Sequence, residues 1–305
     1  MRGTVEGFSY GFVTPVAAFL MACLGGVLGL RCVLRSLRPH GSFRAGWLAL
    51  GAVAIGSGIW TMHFIAMLGF TVREAPIGYD PAITLASLGV AIVMVGVGIF
   101  LVGHRGATPM ALVTGGTITG LGIATMHYLG MAGMRLPGRI AYDTLTVTLS
   151  VVIAVVAATS ALWAAVSVRG MLPTLAAGLG MGVAVSGMHY TGMAAVSVHL
   201  HGDGLPAGGG ESATSLLGPM LVGPVVFLLL AGFVVMVDPL LVTGDDDHRD
   251  PAHPPHHRPG AAAERHRHRY GDHRDYRDHR DDRGYGGPAV RASRRVRRQE
   301  RAGRG

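Results

Sequence analysis

The sequence predicts an all-α, polytopic membrane protein with seven transmembrane helices built from repeated two-helix units, followed by a disordered C-terminal tail. Three observations predict this fold class. Residues 1–240 contain seven apolar stretches, each about 20 residues long, as a helix needs to cross a bilayer. Three of these stretches carry nearly the same six-residue motif. Beyond residue 244 the sequence becomes strongly polar and charged.

The seven predicted spans are separated by short polar or turn-rich links, and Pro is confined to the ends of the spans. Cys23 and Cys32 lie on the first span, about 13 Å apart by helical rise, which is too far for a mutual disulfide. The spans cover residues 11–31, 47–70, 82–102, 110–134, 145–168, 174–198 and 217–238.

The chain divides into a membrane domain, residues 1–243, and a tail, residues 244–305. The tail holds 16 Arg, 11 acidic residues and 8 His, so it cannot bury enough apolar surface to fold and is predicted to be a disordered polyampholyte. Its His content leaves open metal buffering, and its Arg content leaves open contact with anionic lipids. The tail is too short and polar for a catalytic domain, and no phosphate loop or acid/base pair is readable elsewhere. We therefore expect no enzymatic activity, and no nucleic-acid partner.

The distribution of Arg predicts the orientation. The first link holds Arg31, Arg35, Arg38 and Arg44, the third and fifth links each hold one Arg, and the Arg-rich tail lies on the same side. Arg residues on the other side are balanced by acidic residues. The positive-inside rule therefore predicts a multi-pass protein of the inner (plasma) membrane with its N-terminus outside and its tail cytoplasmic.

The repeated motif places a Met before each His and a second Met four residues after it. The three His residues are 64 and 62 positions apart, and an ionisable side chain at membrane depth indicates a functional site. Residues i and i+4 share a helix face, so each His and the Met that follows it point the same way. The candidate metal ligands are Met62, His63, Met67, Met126, His127, Met131, Met188, His189 and Met193.

Imidazole and thioether groups together favour copper, especially Cu(I), over the oxygen-seeking ions Mg²⁺ and Ca²⁺. Two alternatives stay open. The His residues could form hydrogen bonds between helices, or a His pair could ligate haem, although three equivalent sites suit haem less well. A Gly-rich segment precedes each motif on its helix and allows close packing of the motif helices. A parallel repeat could therefore bring the three His residues to one depth.

Met188-His189-Tyr190-Thr191 spells M-H-Y-T, and the threefold repetition in a membrane domain resembles the bacterial MHYT domain. The resemblance covers about residues 1–240. It implies a seven-helix integral sensor whose motif Met and His residues hold copper near the outer face and detect oxygen, carbon monoxide or nitric oxide. Only the third copy matches M-H-Y-T at all four positions. The first has Phe64 and Ile65 in place of Tyr and Thr, and the second has Leu129 in place of Thr. The Tyr and Thr hydroxyls are therefore not expected to be ligands.

The leading hypothesis is thus a copper-loaded membrane sensor of a diatomic gas or redox signal. Its partners would be the lipid bilayer, the gas and a separate cytoplasmic output protein. The alternative is a transporter or metal-handling membrane protein. Against transport, the motifs lie toward the outer ends of their helices, whereas transporter sites lie near the midplane with broken helices.

Overall fold

The computed structural model describes residues 3–7, 9–37, 44–200 and 213–237. Within these residues it contains seven helices that are long and apolar enough to cross a membrane, as predicted. The predicted disorder of residues 244–305 lies outside the described residues, as does Arg38. The helices are α1 Val13–Ser36, α2 Arg44–Leu68, α3 Pro81–Arg105, α4 Pro109–Ala132, α5 Thr144–Ser167, α6 Met171–Ala194 and α7 Ala213–Val237.

Several helix bounds differ from the predicted ones. Helix α1 continues past Arg31 to Ser36, because Arg has good helix propensity and one charged side chain does not end a helix. Helix α6 ends at Ala194, four residues before its predicted end, and a strand follows it. Pro219 and Pro224 lie inside α7, so the expectation that Pro is confined to helix ends is wrong for this helix. Cys23 and Cys32 are both free thiols, as predicted.

Three helices begin at side-chain caps. Asp80 accepts a hydrogen bond from the backbone N–H of Ile83 and is followed by Pro81. Thr108 precedes Pro109 in the same way at α4, and the Asp143 side chain caps α5. Such caps satisfy backbone donors that a helix start leaves without partners, and Pro fits the first turn because it has no N–H to satisfy.

The first six helices form a closed ring in chain order. Each packs against the next, and α6 packs back against α1, while α7 lies outside the ring against α1 and α2. The motif helices α2, α4 and α6 therefore take alternate places in the ring. This arrangement agrees with a parallel repeat of two-helix units around an axis along the bundle.

Glycine permits the closest helix contacts. A methyl group added at Gly25 of α1 would lie 2.7 Å from the Cα atom of Gly58 in α2. One added at Gly120 of α4 would lie 2.5 Å from the Cα atom of Val155 in α5. Helices in lipid associate through this kind of backbone proximity, so these glycines set the spacing of the ring.

Six short strands were not predicted. They form three two-stranded antiparallel sheets, and all of them lie in or beside the segments that join the helices at the motif end of the bundle, here called the strand end. A hydrogen bond from Gly3 N to the carbonyl of Val198 also links the N-terminal segment to the strand after α6. The pairs are β1 Val5–Glu6 with β2 Thr71–Val72, β3 Gly78–Tyr79 with β4 Met134–Arg135, and β5 Gly138–Tyr142 with β6 Val196–Leu200.

Ion pairs join the same segments. Arg135 Nη2 lies 2.8 Å from Asp80 Oδ2, which ties the link after α4 to the link after α2. Arg73 pairs with Glu6, and its Nε atom donates a 2.8 Å hydrogen bond to that carboxylate. Positive and negative side chains at this end therefore pair with each other, as the balanced charges of these links suggested.

Candidate metal centre

The three motif His residues come from alternate helices and occupy the same depth. His63, His127 and His189 each lie five residues before the last residue of α2, α4 and α6 respectively. At a rise of 1.5 Å per residue this is about 8 Å from the helix end. Because the three helices run parallel, equal spacing from their ends places the three rings in one layer close to the strand end.

The imidazole rings meet on the axis of the bundle. His63 Nδ1 lies 3.0 Å from His189 Nδ1 and 3.2 Å from His127 Nδ1. The ring centroids are 4.9, 5.0 and 5.2 Å apart, and the rings are nearly perpendicular to one another. All three residues are at most 1% exposed. The predicted convergence of the three His residues is therefore present in the structure.

Hydrogen bonding among the three rings cannot satisfy all of their nitrogens. A neutral imidazole carries one N–H, and His63 Nδ1 faces the Nδ1 atoms of both other rings, so it cannot donate to both. The buried Nε2 atoms of His63 and His127 have no hydrogen-bond partner among the described residues. Burying such a group without a partner is costly. The crowding of the three Nδ1 atoms is therefore poorly explained as a purely structural hydrogen-bond network, whereas the two Nε2 atoms lack a partner in the described part of the chain with or without a metal ion on Nδ1.

A single metal ion fits the same arrangement. Bonds of about 2.0 Å in tetrahedral geometry place neighbouring nitrogens about 3.3 Å apart, close to the two separations measured from His63 Nδ1, and the ligand atoms of all three residues lie within 4.8 Å of one another. Among the described residues, His63, His127 and His189 form the only group of at least three His, Cys, Asp or Glu side chains whose ligand atoms converge. The three Nδ1 lone pairs could bind one ion, with the proton of each ring on Nε2.

The aromatic residue after each His packs its ring edgewise against that His. The centroid distances are 4.6 Å for Phe64 on His63, 4.8 Å for Tyr128 on His127 and 5.0 Å for Tyr190 on His189. Phe64 has no hydroxyl, so the feature shared by all three copies is the aromatic face. This contact limits rotation of each imidazole.

The glycine three residues after a motif His was missed in the sequence. A methyl group at Gly130 would lie 2.6 Å from His63 Nε2, and one at Gly192 would lie 2.5 Å from His127 Nε2. The imidazoles of His63 and His127 thus pack against the backbone of the next motif helix. The sequence does contain a sign of this role, because a small residue takes the same place in every copy. It is Ala66 in the first copy, Gly130 in the second and Gly192 in the third.

The six motif methionines accompany the cluster on the same helices. Five are at most 1% exposed and Met193 is half-buried. Their role as sulfur ligands stays a prediction. The buried ones are Met62, Met67, Met126, Met131 and Met188.

Comparison with known proteins relates this cluster to a family. Residues 56–115 and 120–178 match the family model MHYT, described as the bacterial signalling protein N terminal repeat. The two matched segments contain the first two His residues and their motifs. Both segments of the chain therefore carry the MHYT repeat. The repeat and the seven helices together make it a multi-pass membrane protein with the repeat of bacterial signalling proteins.

Three curated relatives share this region. The chain is 39% identical over 197 residues to the bifunctional diguanylate cyclase/cyclic di-GMP phosphodiesterase MucR of Pseudomonas aeruginosa, covering 63% of this chain and 29% of MucR. It is 38% identical over 187 residues to the cyclic di-GMP phosphodiesterase NbdA of the same organism, covering 59% and 23%. It is 30% identical over 189 residues to the signaling protein YkoW of Bacillus subtilis, covering 60% and 23%.

The MHYT chain described here thus spans less than a third of the length of these relatives. No solved structure matches it.

Proposed function

We propose that this MHYT protein is a membrane sensor in which His63, His127 and His189 hold one copper ion. The observation that carries the proposal is the meeting of three buried Nδ1 atoms from three parallel helices. Imidazole is a preferred ligand of copper, and thioethers from the buried motif Met residues would add soft donors that favour Cu(I). No carboxylate belongs to the described cluster, so hard ions have no comparable donors there.

When bound, copper supplies a coordination position for an uncharged diatomic gas such as dioxygen, carbon monoxide or nitric oxide. The residues around the cluster hold the imidazole rings in the orientation that this position requires. Phe64 and its counterparts hold the imidazoles edge-on, and Gly130 and Gly192 let the rings approach the neighbouring helices. The nearly complete burial of the three His residues keeps bulk water away from the ion.

We propose that the strand end faces outside and that the opposite end faces the cytoplasm. Arg35 and Arg44 lie near the opposite end of the bundle, at the end of α1 and the start of α2. The guanidinium of Arg35 lies 4.3 Å from the centre of the Trp47 ring. Arg is enriched on the cytoplasmic side of membrane spans, and Trp is enriched at both membrane–water interfaces.

The output then passes to the cytoplasmic side. Helix α7 contacts α2, which carries His63, and also β3 at the strand end. A shift in the packing of α2 would therefore change the packing of α7 and so affect the residues that follow it. We propose a separate cytoplasmic protein as the receiver, contacting the Arg-rich link after α1 or the tail. The cyclic di-GMP enzymes among the relatives indicate the kind of signalling in which such a receiver acts.

The test is copper content and gas binding in the detergent-purified full chain. We expect one copper ion per chain and, after reduction, a carbon monoxide stretching band typical of a Cu(I) carbonyl. Replacing all three residues (His63→Ala, His127→Ala, His189→Ala) should remove both signals. His104→Ala, an exposed His at the end of α3, is the matched control and should leave them unchanged.

Two results would count against the sensor. A wild-type chain that binds no copper, or a triple variant that keeps it, would refute the metal centre. Copper flux across proteoliposomes at a rate that depends on the His residues would favour the transport alternative.

A further inference from the structure

We propose that the six-helix ring contains a second ligand site: an apolar cavity on the bundle axis that takes one small, uncharged, apolar molecule. The cavity has a volume of about 40 Å³ and is lined by residues of all six ring helices. Its lining includes Leu30 of α1, Ile59 of α2, Ile99 of α3 and Leu162 of α5. It occupies the part of the ring that lies beyond the His layer, away from the strand end.

The chemistry of the walls selects the ligand. Among the described residues that line the cavity, Thr119 is the only one with a side-chain hydroxyl, amide or charge. Its hydroxyl is 3.5 Å from the carbonyl oxygen of Met94. The volume exceeds the roughly 10–15 Å³ that one water needs, but a buried water also needs about two to four polar partners. A charged ion would lose its hydration without replacement. The cavity therefore suits an apolar molecule of a few heavy atoms.

One residue joins the cavity to the metal centre. Met188 lines the cavity and is the residue directly before His189. None of the three His residues lines the cavity, whereas Ile59, Ile123 and Val185, each four residues before a motif His, line it together with Met188. A molecule in the cavity would thus lie about one helical turn from the His layer, on its side facing the interior of the membrane.

Three of the lining residues are only partly buried, which suggests a route to the cavity from the lipid side. Ala157 and Ala161 of α5 and Ala184 of α6 line it and are half-buried, and α5 and α6 are neighbours in the ring. Diatomic gases partition into the hydrocarbon core of a bilayer. They could enter between these alanine side chains without crossing the strand end. The role of the cavity in gas delivery rests on the proposed sensor function, whereas the existence of the site does not.

Xenon is the probe, because it binds dry apolar cavities and no metal chemistry is involved. Crystals of the detergent-purified full chain would be pressurised with xenon and the anomalous signal located. We expect one xenon atom per chain between Met188 and Thr119. Ala184→Leu should abolish it by filling the space, and Ala176→Leu, at an exposed position of the same helix, should leave it unchanged.

A second variant tests the proposal even if the first variant does not fold. Ala158→Val adds two methyl groups from α5 and should reduce xenon occupancy even if Ala184→Leu does not fold. Absence of xenon from the wild type, occupancy unaffected by either filling variant, or ordered water in the cavity would overturn the proposal. The triple His→Ala variant should still bind xenon, so loss of copper and loss of the cavity site can be distinguished.

Discussion

The Nδ1 atom of His63 lies 3.0 Å from the Nδ1 atom of His189, although 126 positions separate the two residues in the chain. The contact joins the first and third motif helices across the axis of the bundle, and His127 completes the group. Three ionisable side chains at membrane depth are costly to bury. Their convergence on one point is the feature from which the account of function starts.

Gly130→Ala should weaken metal binding without removing any ligand. The new methyl group would lie 2.6 Å from His63 Nε2 and would displace the ring from its position beside Gly130. We expect a loss of about 10–100-fold in copper affinity, as when a residue that orients a metal ligand is changed. Competition with a copper chelator measures it. Gly180→Ala, where a methyl group meets nothing within 4 Å, should leave the affinity unchanged.

Gly120→Ala should destabilise the bundle itself. Its methyl group would lie 2.5 Å from the Cα atom of Val155, and backbone at such a contact cannot move aside as a side chain can. We expect a loss of about 1–3 kcal/mol, typical of overpacking, measured by unfolding in detergent. Gly89→Ala on α3, where a methyl group has open space, is the control. Equal stability of the two variants would refute the close α4–α5 packing.

Trp60→Phe should cost stability through lost hydrogen bonds. The Trp60 indole N–H, fully buried, donates to Ser87 Oγ at 3.0 Å and to the Thr84 carbonyl at 3.2 Å, which joins α2 to α3. Phe removes this donor from the buried Ser87 Oγ, at a cost of about 1–3 kcal/mol, while the Thr84 carbonyl still accepts from the Ser87 hydroxyl. Trp163→Phe, at a 57% exposed position, should change the free energy of unfolding much less.

The ion pair at the strand end should make stability depend on acid pH. The hydrogen bond from Arg135 holds the pKa of Asp80 below its ordinary value. A carboxyl with a lowered pKa in the folded state contributes stability at neutral pH that is lost as the pH falls through that pKa. Asp80→Asn, which keeps a side chain able to cap α3, should therefore lower Tm at pH 7. The difference should shrink below about pH 3.9, the ordinary Asp pKa.

Arg135→Gln should have the same pH dependence as Asp80→Asn, and the double variant should add little to either. Arg139→Gln, an exposed Arg on β5, is the matched control. A Tm difference that stays constant from pH 7 to pH 3 would show that the Asp80–Arg135 pair does not contribute.

Much of this molecule could be predicted from its sequence, because membrane spans have a strong signal. Seven apolar stretches gave the seven helices, and equal motif spacing in alternate spans gave the depth and convergence of the His residues. Helix ends were predicted less accurately. Helix α6 ends at Ala194, where the chain continues into β6. The apolar strand residues Val196 and Val198 led to the prediction of a longer span.

The rest depended on contacts between distant segments. Two-residue strands such as β1 and β2 are defined by the pairing of Val5 with Val72 and of Glu6 with Thr71, and no local pattern marks them. The contact of Gly130 with His63 depends on how α2 and α4 pack. The axial cavity likewise arises from the packing of six helices. Met188 was predicted as a candidate ligand, but its place in the cavity wall was not predicted.

The most direct test of the central claim is X-ray absorption at the copper edge of the purified full chain, together with copper stoichiometry. The account predicts one copper ion per chain with a shell of imidazole nitrogens at about 2.0 Å, reduced by one imidazole in each single His→Ala variant that retains metal. A chain without stoichiometric copper, or an imidazole shell unchanged when His63, His127 and His189 are replaced, would contradict it.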